Sequence, residues 1–428
     1  MRQMIKHLQT HRAKRSLKKN ASKMTKETSG HNVLDHGESS FGRLPTEIVL
    51  DILERLLFEN STPAIRTRLC LVSKSWCALF GPHGYPTLWS SITIPIPGSV
   101  QHMPGCIEYC HKCTLYSGMS QVDIVLDYTG TYPETITQFF LAFDERTRLT
   151  SRIEQLEPTL DMPLHANPII MPLLILRGPA GKHMQRWRSL TIDGMREAAF
   201  YHNFIFLYTS YPAPNVISLA CRHVWLNWTE GRFAIDPTLF FPNLRRLRLH
   251  SCPWDLSNWT NCIANLRHLE LLRCSEDTFT FALLCQNLET LSLENASTGI
   301  LLGSQDPIFP RLRSLSLMGR LVYYHPIWEQ IGFPALEQIH LLCSNTLSCI
   351  NGISYNLTQL SNIMLRDGYP SPKFPKLREV FLDLPKPYVS EVLDPTVPNM
   401  EQSLRHLASL KNRAPGAKPP LAISRRPV

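Results

Sequence analysis

The sequence predicts an α/β chain: a short all-α module, then a solenoid of leucine-patterned repeats whose strands form a curved parallel sheet, between two disordered tails. Two changes of texture carry that expectation. Apolar residues recur at three- and four-residue spacing over residues 44–80, the period of a helix face. From Leu244 onward the pattern changes to a Leu-x-x-Leu-x-Leu core that returns at first-leucine spacings of 22, 22, 24, 24, 24 and 17 residues.

Residues 1–38 read as a disordered basic tail, because they are rich in Lys, Ser, Thr and His with no sustained apolar period. The formal charge of +9 belongs to this tail: residues 1–26 hold nine basic side chains and no acid, and beyond them 35 basic residues balance 35 acidic ones. A uniformly basic nucleic-acid-binding body is therefore not expected. The tail reads as a solvated arm, a nuclear-import patch at Lys14-Arg15-Ser16-Leu17-Lys18-Lys19, or a mitochondrial presequence.

No apolar run has signal-peptide or membrane-spanning length; the longest, Pro168 to Leu176, is broken by Pro172. The expectation is a cytoplasmic or nuclear protein with no membrane partner. In such a compartment its 12 cysteines read as small apolar residues rather than disulfides.

Residues 39–85 are expected to form a helical module. Leu44-Pro45-Thr46-Glu47 opens a helix, with the proline where a missing N–H costs nothing and Glu47 at the positive helix end. Ile48, Val49, Ile52, Leu53, Leu56 and Leu57 then form its apolar face, and Asn60-Ser61-Thr62-Pro63 ends it and caps the next helix. Ile65, Leu69, Leu71, Val72, Trp76 and Leu79 continue the apolar pattern to Gly81-Pro82.

Residues 86–385 are expected to form the repeat domain, regular from about residue 241 and degenerate before it. The clear cores are Leu244/Leu247/Leu249, Leu266/Leu269/Leu271, Leu288/Leu291/Leu293, Leu312/Leu315/Leu317 and Leu336/Ile339/Leu341. Leu360/Ile363/Leu365 and Leu377/Val380/Leu382 read as weaker continuations, and Trp187/Leu190/Ile192 and Val216/Leu219/Cys221 as earlier degenerate copies. Phe-Pro-x-Leu opens several repeats, and Cys252 and Cys274 fall where such repeats fill a buried turn. Trp89/Ile92/Ile94 and residues 122–126 read as strands with a helix between them. Residues 386–428 read as a C-terminal tail, mostly disordered at its end.

Leu44-Pro45-x-Glu47-Ile48-x-x-x-Ile52-Leu53, followed by Leu69-x-Leu71-Val72-Ser73-Lys74-x-Trp76, resembles an F-box. With the repeats behind it, the chain resembles F-box proteins with a C-terminal leucine-rich-repeat-like domain, in the style of the F-box families of mushroom-forming fungi. It departs from the family in a more polar segment between the helices, Glu59–Arg68. The resemblance implies a substrate-recognition subunit of an SCF-type cullin–RING ubiquitin ligase. Leu44, Pro45, Ile48, Ile52, Leu53, Val72 and Trp76 would bind a Skp-type adaptor. The repeats would hold a protein substrate, with Trp225, Trp228, Trp254 and Trp259 as candidate contacts, since rigid aromatics favour hot spots. The alternative is a leucine-rich-repeat scaffold not engaged with any ligase.

Catalytic chemistry is not expected. Cys106, Cys110 and Cys113, near His102 and His111, have metal-ligand chemistry but share one helix face and lack a second ligand pair, so they read as apolar. Gly178-Pro179-Ala180-Gly181-Lys182 lacks the first glycine and the hydroxyl of a phosphate loop and reads as a turn. No nucleophile motif, cofactor fingerprint or metal set is present.

Overall fold

A computed structural model describes residues 44–59, 62–81, 84–96, 102–130, 171–194, 211–224, 241–252, 263–274, 278–294, 308–318, 328, 331–342, 347–367, 371–384, 405 and 422–427. The chain divides into two compact units: residues up to Ser91 with Tyr116–Gly118, and Ile92–Leu115 with Met119 onward.

The first unit is helical. Helix α1 spans Thr46–Glu59, α2 Pro63–Cys70 and α3 Lys74–Leu79, and a 3-10 turn follows at Pro86–Trp89. The Pro45 carbonyl accepts from the Ile48 and Val49 amides at 3.0 and 3.1 Å, which starts α1. Pro63 occupies the first turn of α2, where its missing N–H has no cost. The apolar pattern of 65–79 runs through two helices rather than one. Ser73 breaks it: its extended backbone caps α3, and its hydroxyl accepts from the Trp76 amide at 3.1 Å. Leu53, Leu57, Phe80, Leu88 and Trp89 form the core of this unit.

The second unit is an α/β solenoid-like stack. Its strands are β1 Ser91–Pro95, β2 Val122–Asp127, β3 Trp187–Asp193, β4 Ser218–Arg222, β5 Arg246–His250, β6 His268–Leu272, β7 Thr290–Glu294, β8 Ser314–Met318, β9 Gln338–Leu342, β10 Glu379–Leu384 and β11 Ala422–Pro427. They lie in one open sheet in chain order, and every pairing from β2 to β11 is parallel. Helices α4 Met103–Tyr116, α5 Met171–Arg177, α6 Thr278–Leu284 and α7 Leu347–Asp367 sit in the connections.

The leucine triplets explain the register. The second and third residues of each core point inward from the strand and stack on their counterparts, so that Leu247 pairs with Leu269 and Leu249 with Leu271. The same columns continue as Leu291, Leu315, Ile339 and Val380, and as Leu293, Leu317, Leu341 and Leu382, all buried. Burial of each such side chain contributes about 1.5–3 kcal/mol. The first leucine of each core, from Leu244 to Leu336 and again at Leu377, is buried as well. The Phe-Pro openings build a second column: Phe309 stacks on Phe333 at 5.7 Å and Phe333 on Phe374 at 5.9 Å.

Cys252 and Cys274 fill the turn after β5 and β6. Their thiols donate to the carbonyls of Cys221 and His250 at 3.3 Å, and of Leu249 and Leu272 at 3.5 Å. Burial pushes both thiols up to about 12, so they stay neutral donors. The turn needs a left-handed residue just after the strand, and His223, Ser251 and Arg273 adopt φ of 52°, 53° and 52° in three successive repeats.

Two expectations are corrected. Leu360/Ile363/Leu365 is not a strand core but part of α7: Leu357, Leu360, Ile363 and Met364 are buried at helical spacing, and Leu365 is 40 % exposed. The repeat from Leu336 to Leu377 is therefore one enlarged unit with a long helix. Residues 422–427 are not structureless tail but strand β11, parallel to β10. Trp328 belongs to the core: it is fully buried, its ring contacts Phe333 and Phe374, and it donates to Asn356 Oδ1 at 2.9 Å.

Candidate protein-binding surfaces

In the helical unit the first turn of α1 presents apolar side chains to solvent. Leu44 is 37 % and Ile48 48 % exposed, with Pro45 exposed between them. Ile52 and Val72 are half-buried. Leu53 and Trp76 are not at the surface at all: they are buried in the unit's own core. The seven adaptor-face candidates thus divide into three exposed at the start of α1, two half-buried and an inward-facing pair. The exposed strip is short, and Leu71, 54 % exposed at the end of α2, is a further apolar surface residue outside those seven.

A residue missed by sequence reasoning organises this unit. Arg66 on α2 is 3 % exposed, lies over the Trp89 ring at 4.6 Å and donates to the Leu88 and Ser91 carbonyls. Its only sequence signal is a cation at a position where the helical period asks for an apolar residue.

In the repeat unit the alternate strand positions face outward and carry polar residues. Cross-strand ion pairs follow from the register: Arg248 Nε lies 3.3 Å from Glu270 Oε2, Arg267 from Glu289 at 3.3 Å, and Arg273 from Glu294 at 3.2 Å. Across β5–β8 the outward face forms a shallow polar cavity of about 260 Å³ with Arg246, Arg248, His268, Ser292, Ser314 and Ser316 in its lining. His268 Nδ1 and Thr290 Oγ1 are 2.9 Å apart. Two strands on, the outward rings of His340 and Phe381 stack at 4.5 Å.

Trp225, Trp228, Trp254 and Trp259 lie outside the described residues, as does the basic tail. On α4, Cys110 and Cys113 are fully buried while Cys106 is half-buried. A hydrogen bond to Cys106, then burial, pushes the Cys110 thiol far up, so it stays protonated; the same bond lowers Cys106. Among the described residues no group of three or more His, Cys, Asp or Glu could hold a metal ion, and no helix is long and apolar enough to cross a membrane. Gly178 and Gly181, at φ 71° and 70°, form a tight turn before β3.

Compared with known proteins, the chain matches no protein-family model, no curated protein and no solved structure.

Proposed function

We propose that the chain is the substrate-recognition subunit of an SCF-type cullin–RING ubiquitin ligase, acting in the cytoplasm or nucleus and doing no chemistry of its own. Residues 44–80 dock a Skp-type adaptor, and the parallel repeat sheet holds a protein substrate while other subunits transfer ubiquitin. One observation carries this reading: Leu44-Pro45-x-Glu47 and Val72-Ser73-Lys74-x-Trp76 occur together in a helical unit, and its first turn leaves Leu44, Pro45 and Ile48 exposed. Covering each of the two large side chains in a partner contributes about 1.5–3 kcal/mol, before association costs. The polar outward sheet face supports a role in holding protein rather than a small apolar ligand.

A second reading, a repeat scaffold outside any ligase, is favoured by the burial of Leu53 and Trp76 within the chain itself. Co-purification of the full-length protein with a Skp-type adaptor of a mushroom-forming fungus separates the two, beside a Pro45→Ala/Ile48→Asp variant. A stoichiometric complex lost in the variant is the expected result. A well-folded chain that captures no adaptor sinks the ligase reading and leaves the scaffold.

A further inference from the structure

Two cysteines of the helical unit meet across the corner between α2 and α3. Cys70 is the last residue of α2 and is half-buried, whereas Cys77 lies in α3 and is exposed. The helices are joined by Leu71-Val72-Ser73 alone, and the corner is fixed by its backbone. The Val72 amide donates to the Leu69 carbonyl at 3.0 Å, and the Cys77 amide to the Ser73 carbonyl at 3.0 Å. The turn thereby brings the two side chains together, and a hydrogen bond joins Cys70 to Cys77.

No other described thiol pair combines contact with access. Among the nine described cysteines Cys77 is the exposed one. Cys106 and Cys110 are also hydrogen-bonded, but they share one turn of α4 and Cys110 is fully buried. Cys252 and Cys274 are committed to carbonyls in the turns they fill. An oxidant arriving from solvent therefore meets Cys77 first, with a second thiol already within reach. Burial, then Cys77 itself, holds the Cys70 thiol above its ordinary value, with Arg66 one turn back on α2 opposing. Cys70 thus keeps its proton and acts second.

We propose that Cys70 and Cys77 form a reversible dithiol–disulfide site that hydroperoxides close. The Cys77 sulfur, as thiolate, attacks one oxygen of the hydroperoxide; the O–O bond breaks and Cys77 becomes a sulfenic acid. The departing oxygen takes up the proton that Cys77 gave up and leaves as water or an alcohol. The Cys70 sulfur then attacks the Cys77 sulfur, the S–O bond breaks, and the leaving hydroxide carries off the Cys70 proton as a second water. Two thiols lose two electrons in all, and one hydroperoxide gains them. Thiols already in contact need only a side-chain adjustment to reach the S–S length of about 2.05 Å. The bond ties α2 to α3 and encloses Leu71, Val72, Ser73 and Trp76 in one loop. In a reducing compartment such a bond is transient, because small-molecule and protein thiols reopen it. The inference holds whether or not the helical unit docks an adaptor.

The test treats the reduced full-length protein with graded hydrogen peroxide, then alkylates the remaining thiols. Digestion without reduction and fragment mass spectrometry locate every cysteine. Trypsin cuts after Lys74, between the two cysteines, and chymotrypsin separates Cys77 from Cys106 and Cys110, so a bond joins two peptides. The expected result is a Cys70–Cys77 linked pair, with both residues losing alkylation together at a lower dose than any other described cysteine. Dithiothreitol restores both. In Cys70→Ser, Cys77 stops at the sulfenic acid and is trapped by dimedone; in Cys77→Ser, Cys70 stays alkylatable at the same dose. An unchanged unfolding temperature in both variants separates loss of the bond from loss of the fold. Both thiols remaining alkylatable overturns the proposal, as does a first bond between any other pair or between two chains. Accumulation of Cys77 sulfenic acid in the unsubstituted protein without the bond overturns it too.

Discussion

The Arg66 guanidinium lies 4.6 Å from the centroid of the Trp89 ring and donates to the carbonyls of Leu88 and Ser91. A buried cation thereby ties α2 to the turn that closes the helical unit. Arg66→Ala removes the ring contact and strands two carbonyls in a nearly dry site, and is expected to destabilise the protein by about 2–4 kcal/mol. Arg66→Lys recovers only part, because an ammonium cannot reach both carbonyls with a planar fork. Thermal or denaturant unfolding of the full-length chain measures both.

Ser73 gives the Val-Ser-Lys-x-Trp segment a physical role: it caps α3 and thereby sets Trp76 into the core. Ser73→Ala is expected to cost about 1 kcal/mol, and Ser73→Asp to cost little, since either oxygen type accepts from the Trp76 amide. Unfolding midpoints of the two variants check this. Equal losses would mean that the cap is not what the serine supplies.

Ile48 and Leu53 lie on different faces of one helix and have opposite fates. Ile48→Asp is expected to leave the unfolding temperature nearly unchanged while abolishing adaptor capture. Leu53→Ala is expected to cost about 2–5 kcal/mol, because it empties a fully buried site. A stability assay run beside adaptor co-purification distinguishes the surface effect from the core effect.

Four asparagines tie successive repeats together. Asn215, Asn243, Asn265 and Asn287 each stand just before the first apolar residue of a repeat and donate to a carbonyl of the preceding one, at 2.6–2.9 Å. Asn243→Ala is expected to cost about 0.5–1.5 kcal/mol, as a partly exposed bond between polar groups does. Removing two adjacent rungs adds nearly independently if each repeat contacts only its neighbours. Denaturant midpoints of the single and double variants read this out.

His268 is held below its ordinary value, first by burial and then by Arg246, with Glu289 opposing and Arg248 and Arg267 adding to the depression. A folded-state value below the unfolded one means that the unfolded chain binds the proton first. His268 therefore contributes full stability above the unfolded value of about 6.5, and that contribution is lost as pH falls through and below it. His268→Gln is expected to flatten this part of the stability profile, measured as unfolding temperature against pH.

The primary structure by itself determined the repeat architecture, because a strand in a stacked sheet buries every second residue and Leu-x-x-Leu-x-Leu writes that demand directly into residue order. It also located β3 and β4 from weaker triplets, and the Cys252 and Cys274 turns, since each is a local pattern repeated in register. What only the tertiary structure decided depends on neighbours distant in the chain. The Leu360 triplet fits strand and helix alike, and α7 wins because Leu357 and Met364 complete a helical face that packs with Leu360 and Ile363. Strand β11 has no leucine core and is defined by the open edge of β10. Arg66 is buried because Trp89 and two carbonyls meet it, Leu53 and Trp76 turn inward because their unit closes around them, and the Arg246 groove exists only once four strands lie side by side. Periodicity records which face of an element is buried; the partner that buries it, or that still waits outside, is a property of the assembled fold.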